Sequence, residues 1–430
     1  MLVRFEVTNF RSLRDSAELS MVAVDRDRAI VRGFDRLGEG LLPIAGIYGP
    51  NASGKSNIIS ALDWLVRAIP DSGRFWDEAI PTEPFMFDSS TQDPTEFEIE
   101  LMVDEVRYAY QLEVTRDRVT YEGLWHYPKG RRRKIFERKL DELTFQAGLG
   151  ALSGTRQLLT PRSLALALTH RFESPIVSNF VKQLSRIQVM KGVSVDLPHR
   201  GTRVRIYDSK PLTNELFQDE PQSQDSLFNT AATTREPAAA REQALALLRL
   251  ADLGITDVTM DQVPHFDNET GQQRNVQRLR LVHSTETGAL PLDFQLESEG
   301  TQAWFMHIGP ILQALSQGSL LVVDELDSTL HPKLTSEILR LFLDPDTNPR
   351  GAQLIFTAHD TNLLSQLNRD EVWLTEKGPD AATRVGALAE FAGESVRRSV
   401  NLGPAYLAGR FGSLPQIYQG DLRRVLEKLM

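Results

Sequence analysis

An α/β fold, with a mixed β-meander lobe and a helical insertion, is predicted by three features of this 430-residue sequence. Gly49-Pro-Asn-Ala-Ser-Gly54-Lys55-Ser56 fits G-x-x-x-x-G-K-[ST] and lies between an apolar run and a helical pattern. Ser319-Leu-Leu-Val-Val-Asp324-Glu325 is a second apolar run, closing on two carboxylates. Residues 97–127 alternate with the period of two expected of an antiparallel meander.

Taken in order, Leu2–Phe10 alternates like a strand and Ala17–Val24 like its antiparallel partner. Pro43–Tyr48 is short and apolar, as a buried strand should be, and Asn57–Leu65 has helical spacing. Between them Gly49 and Gly54 permit a tight turn whose N–H groups point inward, and the following helix start adds partial positive charge. Such a loop cradles nucleotide phosphates: Lys55 is expected on the β- and γ-phosphates, and the Ser56 hydroxyl on Mg²⁺. Asn51 and Asn57, inside and just after the loop, are assigned to the same nucleotide site.

Phe97–Val103, Val106–Val114 and Val119–Tyr127 are predicted strands, joined at Asp104-Glu105 and Thr115–Arg118. The segment Arg116–Lys139, with Arg131-Arg132-Arg133-Lys134 at its centre, is either a nucleic-acid patch or a solvated hairpin turning at Pro128-Lys129-Gly130. Ser163–Val189 has a helical period, and Asp208–Thr234 is polar and turn-rich, the composition of a mobile loop. Glu242–Leu253 is a predicted helix with Gly254 as its C-cap, and Val276–His283 and Leu290–Leu296 return to strands. Three regions are therefore expected: an N-terminal lobe over 1–145, a helical insertion or lid over 146–260, and a C-terminal lobe over 261–430.

Composition narrows the function classes. The chain is 41% hydrophobic, carries a formal net charge of −10 and has no cysteine. Disulfides and thiolate metal sites are excluded, and a cytoplasmic location is expected. No apolar run approaches the roughly 20 residues of a membrane span, and MLVRFEVTNF lacks the layout of a signal peptide. An acidic chain is expected to contact nucleic acid only locally or transiently.

The Asp324-Glu325 run has the Walker B pattern: the first carboxylate suits the Mg²⁺ shell, the second suits activation of a water. Upstream, Ser298-Glu-Gly300-Thr301 opens the apolar helix Ala303–Leu315, presenting a hydroxyl, N–H groups and a helix dipole to an anion. Downstream, Leu354–Asp360 is another apolar run, ending in His359-Asp360. A histidine there can bridge the γ-phosphate and the attacking water. This order is that of ABC-type ATPase heads, in which the Ser-x-Gly turn meets the γ-phosphate of a second subunit. About 270 residues separate Lys55 from Asp324, which implies an insertion between two lobes of one head, as in the SMC and RecF branch.

Several stretches resemble the ABC-type AAA family ATPases of abortive infection, the RloA and OLD-like group to which the PARIS ATPase is similar. They are VRFEVTNFRSL at Val3–Leu13, GPNASGKSN at the loop, ESEGTQ at Glu297–Gln302, LLVVDELDSTLHPKL at Leu320–Leu334, FTAHDTNLL at Phe356–Leu364 and YLAGRFGSLP at Tyr406–Pro415. The resemblance implies ATP and Mg²⁺ sandwiched between two heads, within a head-to-head dimer or a higher homo-oligomer. It gives Lys55 and Ser56 to phosphate and Mg²⁺, Asp324 to Mg²⁺, Glu325 to water activation, Ser298, Gly300 and Thr301 to the γ-phosphate in trans, and His359 to a switch role. Arg11 and Ser12 are expected at the nucleotide in cis. The resemblance also implies an ATP-hydrolysing sensor or scaffold of anti-phage defence. It would control a separately encoded effector, a TOPRIM-type nuclease, and answer a phage-encoded trigger. About 70 residues follow His359, fewer than a TOPRIM domain of its own needs. The alternative is a RecF/SMC-like DNA-binding clamp in repair or recombination.

Overall fold

The alternating runs of the N-terminal lobe pair into one antiparallel sheet. The structure, a computed structural model, describes residues 1–147, 149, 152, 154–171, 174–196, 203–207, 210–218, 237–266, 273–390 and 402–411. It divides into two units, 1–185 with 355–430, and 186–354.

In the first unit a seven-stranded sheet runs in the order Glu142–Phe145, Arg133–Lys139, Val119–His126, Val106–Val114, Thr95–Val103, Leu2–Thr8, Ala17–Ser20. Its register pairs Phe5 with Leu19 on one side and with Ile99 on the other. Phe5, Val7, Phe97, Ile99 and Leu101 are all buried. On the opposite face Arg4 meets Glu6 at 2.7 Å and pairs with Glu98, while Arg107 holds Glu100 at 2.7 Å. The sheet thus has one apolar face and one of alternating charge, the arrangement its period of two requires. The helix Lys55–Ser72 buries Ile58, Ile59, Leu62, Leu65 and Ile69, and its Trp64 stacks on Phe97 with centroids 4.6 Å apart. The basic segment forms the hairpin between Val119–His126 and Arg133–Lys139, with Arg132 stacked over Trp125 at 4.1 Å.

A buried ionic node fixes the next helix. Glu122 and Arg138 have no solvent exposure and stand 4.0 Å apart. Glu122 accepts hydrogen bonds from Tyr110 Oη at 2.9 Å and from the N–H groups of Ala165 and Leu166 at 2.6 and 2.8 Å. It therefore caps the helix Ala165–His170 from a neighbouring strand. Arg138 donates to the carbonyls of Thr160 and Ser163 just before that helix. Burial pushes the Glu122 carboxyl up, and the guanidinium opposes that rise.

In the second unit the buried strand Leu320–Val323 runs parallel to Gln188–Met190. The helix Glu299–Gln317 buries Trp304, whose indole donates to Leu247 O at 2.7 Å from the helix Pro237–Ala251. Pro310 interrupts the Glu299–Gln317 ladder, and the Gly309 N–H bonds to Thr213 Oγ1 at 2.9 Å. Ile255–Phe266, Gln273–Thr285 and Gly288–Asp293 form a three-stranded antiparallel sheet.

The α/β class, the meander and the loop-to-helix head are as the sequence predicts. Four local expectations change. Gly254 does not cap the helix before it: that helix ends at Ala251, and the Asp252 carboxylate turns the chain by accepting from Gly254 N at 2.8 Å. Leu290–Leu296 is a strand only to Asp293, after which Phe294–Leu296 winds into a 3₁₀ turn. The helical period of Ser163–Val189 resolves into Ala165–His170 and Pro175–Ser185, and Gln188–Met190 is a strand. The 146–260 region also contains the ladder Gly192–Asp196 with Arg203–Tyr207 and the start of the long strand Ile255–Phe266. Of the polar stretch Asp208–Thr234, residues 208–209 and 219–234 lie outside the described residues. No helix among the described residues is long and apolar enough to cross a membrane.

Two outcomes follow from these buried groups. Glu122→Ala leaves Arg138 buried without its carboxylate and should lower stability by about 3–5 kcal/mol in urea titration. His307, fully buried, has its pKa lowered by burial from 6.5 to about 4. The unfolded chain therefore takes up this proton first as pH falls, so stability is full above 6.5 and declines towards 4. His307→Gln should flatten that part of the stability–pH curve.

Candidate functional site

The strand Ile44–Tyr48 is buried throughout and runs parallel to Val372–Lys377, pairing Gly46 with Val372. Where it ends, the chain must turn in little space. A side chain at Gly49 would overlap Thr375, and one at Gly54, with φ 102°, would overlap Thr383. These two threonines brace the loop. Ser53 Oγ lies 2.6 Å from Thr375 Oγ1, which donates to Tyr48 O at 3.2 Å. Thr383 Oγ1 donates to Ser53 O at 2.9 Å. With that proton committed, Ser12 Oγ must donate to Thr383 Oγ1 at 2.7 Å, and Asn57 Nδ2 donates to Ser12 Oγ at 2.6 Å. A relay of four groups thus runs from the first turn of the helix back to the loop.

Lys55 folds over the loop, its ammonium 2.8 Å from Gly49 O and 3.1 Å from Pro50 O. The helix it opens has no side-chain cap and no acidic residue in its first turn. Its dipole therefore points positive partial charge at the turn, as an anion site requires. Asn51 is exposed at the loop tip, and Ser56 is half-buried in the first turn. This cradle fits the phosphates of a nucleotide.

Arg11 stands at φ 52°; its N–H donates to Glu83 O at 2.6 Å and its guanidinium grips the Glu83 carboxylate at 2.7 and 3.1 Å. His359 is exposed just past the strand Gln353–Thr357, where Ala358 N bonds to Ile47 O at 3.3 Å. Tyr406 packs edge-on against Tyr48, centroids 6.4 Å apart, so this part of the YLAGRFGSLP segment braces the same strand end. Its residues Gly412–Pro415 lie outside the described residues.

The second unit supplies the other predicted residues. Asp324 is buried at the end of Leu320–Val323, its N–H bonded to Met190 O at 2.9 Å. Glu325 adopts φ 54°, a left-handed conformation uncommon for a residue with a side chain. Ser298 is exposed and caps the helix Glu299–Gln317: its Oγ accepts from Thr301 N at 3.1 Å and lies 2.8 Å from Thr301 Oγ1. A Cβ on Gly300 would come within 3.6 Å of Thr329 O, so this turn packs on the loop that follows Asp324.

Over residues 44–365 the chain matches the family described as "AAA domain, putative AbiEii toxin, Type IV TA system". It belongs to this AAA-domain family. No curated protein matches it. Among solved structures, it is similar to an SMC head bound to the C-winged helix domain of ScpA, with 11% identity, TM-score 0.46 and coverage of 90% of this chain and 97% of that one. An SMC head domain from Thermotoga maritima follows at 13% identity and TM-score 0.38, covering 90% and 98%. A Pyrococcus furiosus Smc head with an extended coiled coil, bound to the C-terminal domain of ScpA, has 9% identity and TM-score 0.38, covering 90% and 97%.

Thr375 and Thr383 escaped the sequence reading. Their one signal was a polar residue closing the apolar run Val372-Trp-Leu-Thr375, more than 300 residues from the loop it supports. In this AAA-domain protein Thr383→Val keeps the shape and deletes two hydrogen bonds. It should weaken nucleotide binding about 3- to 30-fold, the effect of roughly 1–2 kcal/mol of lost bracing, measured by equilibrium titration.

Proposed function

We propose that this protein is an ABC-type ATPase of the RloA and OLD-like group, an ATP-driven sensor or scaffold of anti-phage defence that controls a separately encoded nuclease. The observation that carries the ATP-binding part is the uncapped helix start at Lys55, with the ammonium waiting over the carbonyls of Gly49 and Pro50. Membership in a family described by an abortive-infection toxin system supports the defence part.

In this reading Lys55 leaves its loop carbonyls for the β- and γ-phosphate oxygens, exchanging two neutral acceptors for charged ones. Ser56 and Asp324 would hold Mg²⁺, which neutralises phosphate charge when bound. Glu325 accepts a proton from the attacking water, and His359 orients that water beside the γ-phosphate. The exposed Ser298 hydroxyl and the N–H groups of Gly300 and Thr301 meet the γ-phosphate of a second copy. Two heads in isologous contact then share two nucleotides.

Glu325→Gln should lower ATP turnover about 100-fold or more and accumulate the ATP-bound oligomer in size-exclusion chromatography. Normal hydrolysis by this variant refutes the role given to Glu325. Lys55→Ala and Ser298→Arg should each be inactive alone. Co-expressed, they form mixed dimers with one intact site and should regain roughly a quarter of wild-type turnover; no recovery means that the two halves do not meet across subunits.

A further inference from the structure

We infer that the polar face of the seven-stranded sheet is a self-association surface, on which the basic hairpin tip of one copy docks against acidic rows of a second copy. The contact lies outside the nucleotide reading above and needs no nucleotide.

The tip is an exception in this acidic chain. Other arginines of the same unit are paired: Arg28 meets Asp370 at 2.8 Å, Arg107 meets Glu100 at 2.7 Å and Arg118 meets Asp141 at 2.9 Å. Lys129, Arg131, Arg132 and Arg133 are exposed, and among the described residues none of them has a carboxylate partner. Arg132 is nonetheless held in place. A Cβ on Gly123 would overlap the Trp125 indole, so the missing side chain leaves room for that ring. The Arg132 guanidinium lies over the indole at 4.1 Å, and Tyr121 stacks against the same ring with centroids 6.2 Å apart. A guanidinium ordered on an aromatic face keeps its N–H edge for an anion and loses little freedom on meeting one.

The same face carries the anions. Strand register sets Glu18, Glu6 and Glu98 side by side in one row, and Glu96 opposite Glu113 in the next. Trp125 and Tyr121 belong to this face, because the pairing runs from Glu100 through Ala109 to Trp125 and from Glu96 through Glu113 to Tyr121. Arg4 serves the first row, reaching Glu6 at 2.7 Å and Glu18 at 3.3 Å. Glu96 and Glu113 have no cationic partner among the described residues, and burial together with the Glu96 charge pushes the Glu113 carboxyl up. Like charges directly opposite one another destabilise a sheet. Unpaired cations and an unrelieved carboxylate pair thus share one sheet, and a two-fold axis between them lays each tip on the other copy's carboxylates in two identical contacts. A long polyanion laid along the tip would instead meet those carboxylates as repulsion.

The test follows the nucleotide-free full chain by sedimentation equilibrium. Wild type should self-associate, and added salt should weaken the association. Arg131→Glu, Arg132→Glu and Arg133→Glu together should weaken it about tenfold or more, and so should Glu96→Lys with Glu113→Lys. An equimolar mixture of the two variants should recover wild-type affinity, because each reversed tip then meets a reversed pair. A wild type still monomeric at about 100 μM, a reversal that changes nothing, or a mixture of natively melting variants without recovery overturns the inference. So does a tip reversal that keeps self-association and abolishes binding of a DNA or RNA oligonucleotide, which would make the hairpin a nucleic-acid contact. ATP-driven pairing is measured separately, so failure here leaves the nucleotide reading standing.

Discussion

Everything between Gly49 and Ser56 depends on how a glycine loop is held still. Gly49 and Gly54 give the backbone its turn, and the same missing side chains make it floppy in isolation. Rigidity comes from outside: Thr375 and Thr383 press on the two positions where glycine leaves room, and a hydroxyl–hydroxyl bond to Thr375 and a hydroxyl-to-carbonyl bond from Thr383 fix Ser53 between them. The relay through Ser12 and Asn57 then ties the loop to the end of the first strand and to its own helix. Three distant stretches of chain converge on one turn.

Helix starts show the same economy in contrasting ways. Ala165–His170 is capped by a buried carboxylate from a neighbouring strand, Glu122. Glu299–Gln317 is capped by its own leading hydroxyl, Ser298. Lys55–Ser72 has no side-chain cap, and the ammonium of its first residue bonds to Gly49 O. Asn9, Arg11 and Glu325 are among the side-chain-bearing residues in left-handed conformations, at the end of the first strand and at the end of the acidic strand.

The sequence by itself determined the periodic and the contiguous. Seven residues of alternation suffice to set a strand's buried face, so the meander was legible to within a residue or two. The glycine loop, the Asp324-Glu325 strand end and the Ser298 turn were legible because each chemical unit lies within one short segment. Chain ends of elements were less so, since a local competitor decides them: the Asp252 carboxylate stops a helix that Gly254 was expected to cap, and Phe294 turns into a 3₁₀ coil because its ring packs against Phe305 at 5.0 Å. What only the tertiary structure decided is the non-local part. Thr375 and Thr383 reach the loop, Glu122 meets Arg138, and Asn57 meets Ser12 through contacts between residues far apart in sequence. No period or spacing encodes such contacts; they exist once hydrophobic burial has fixed which strands lie side by side.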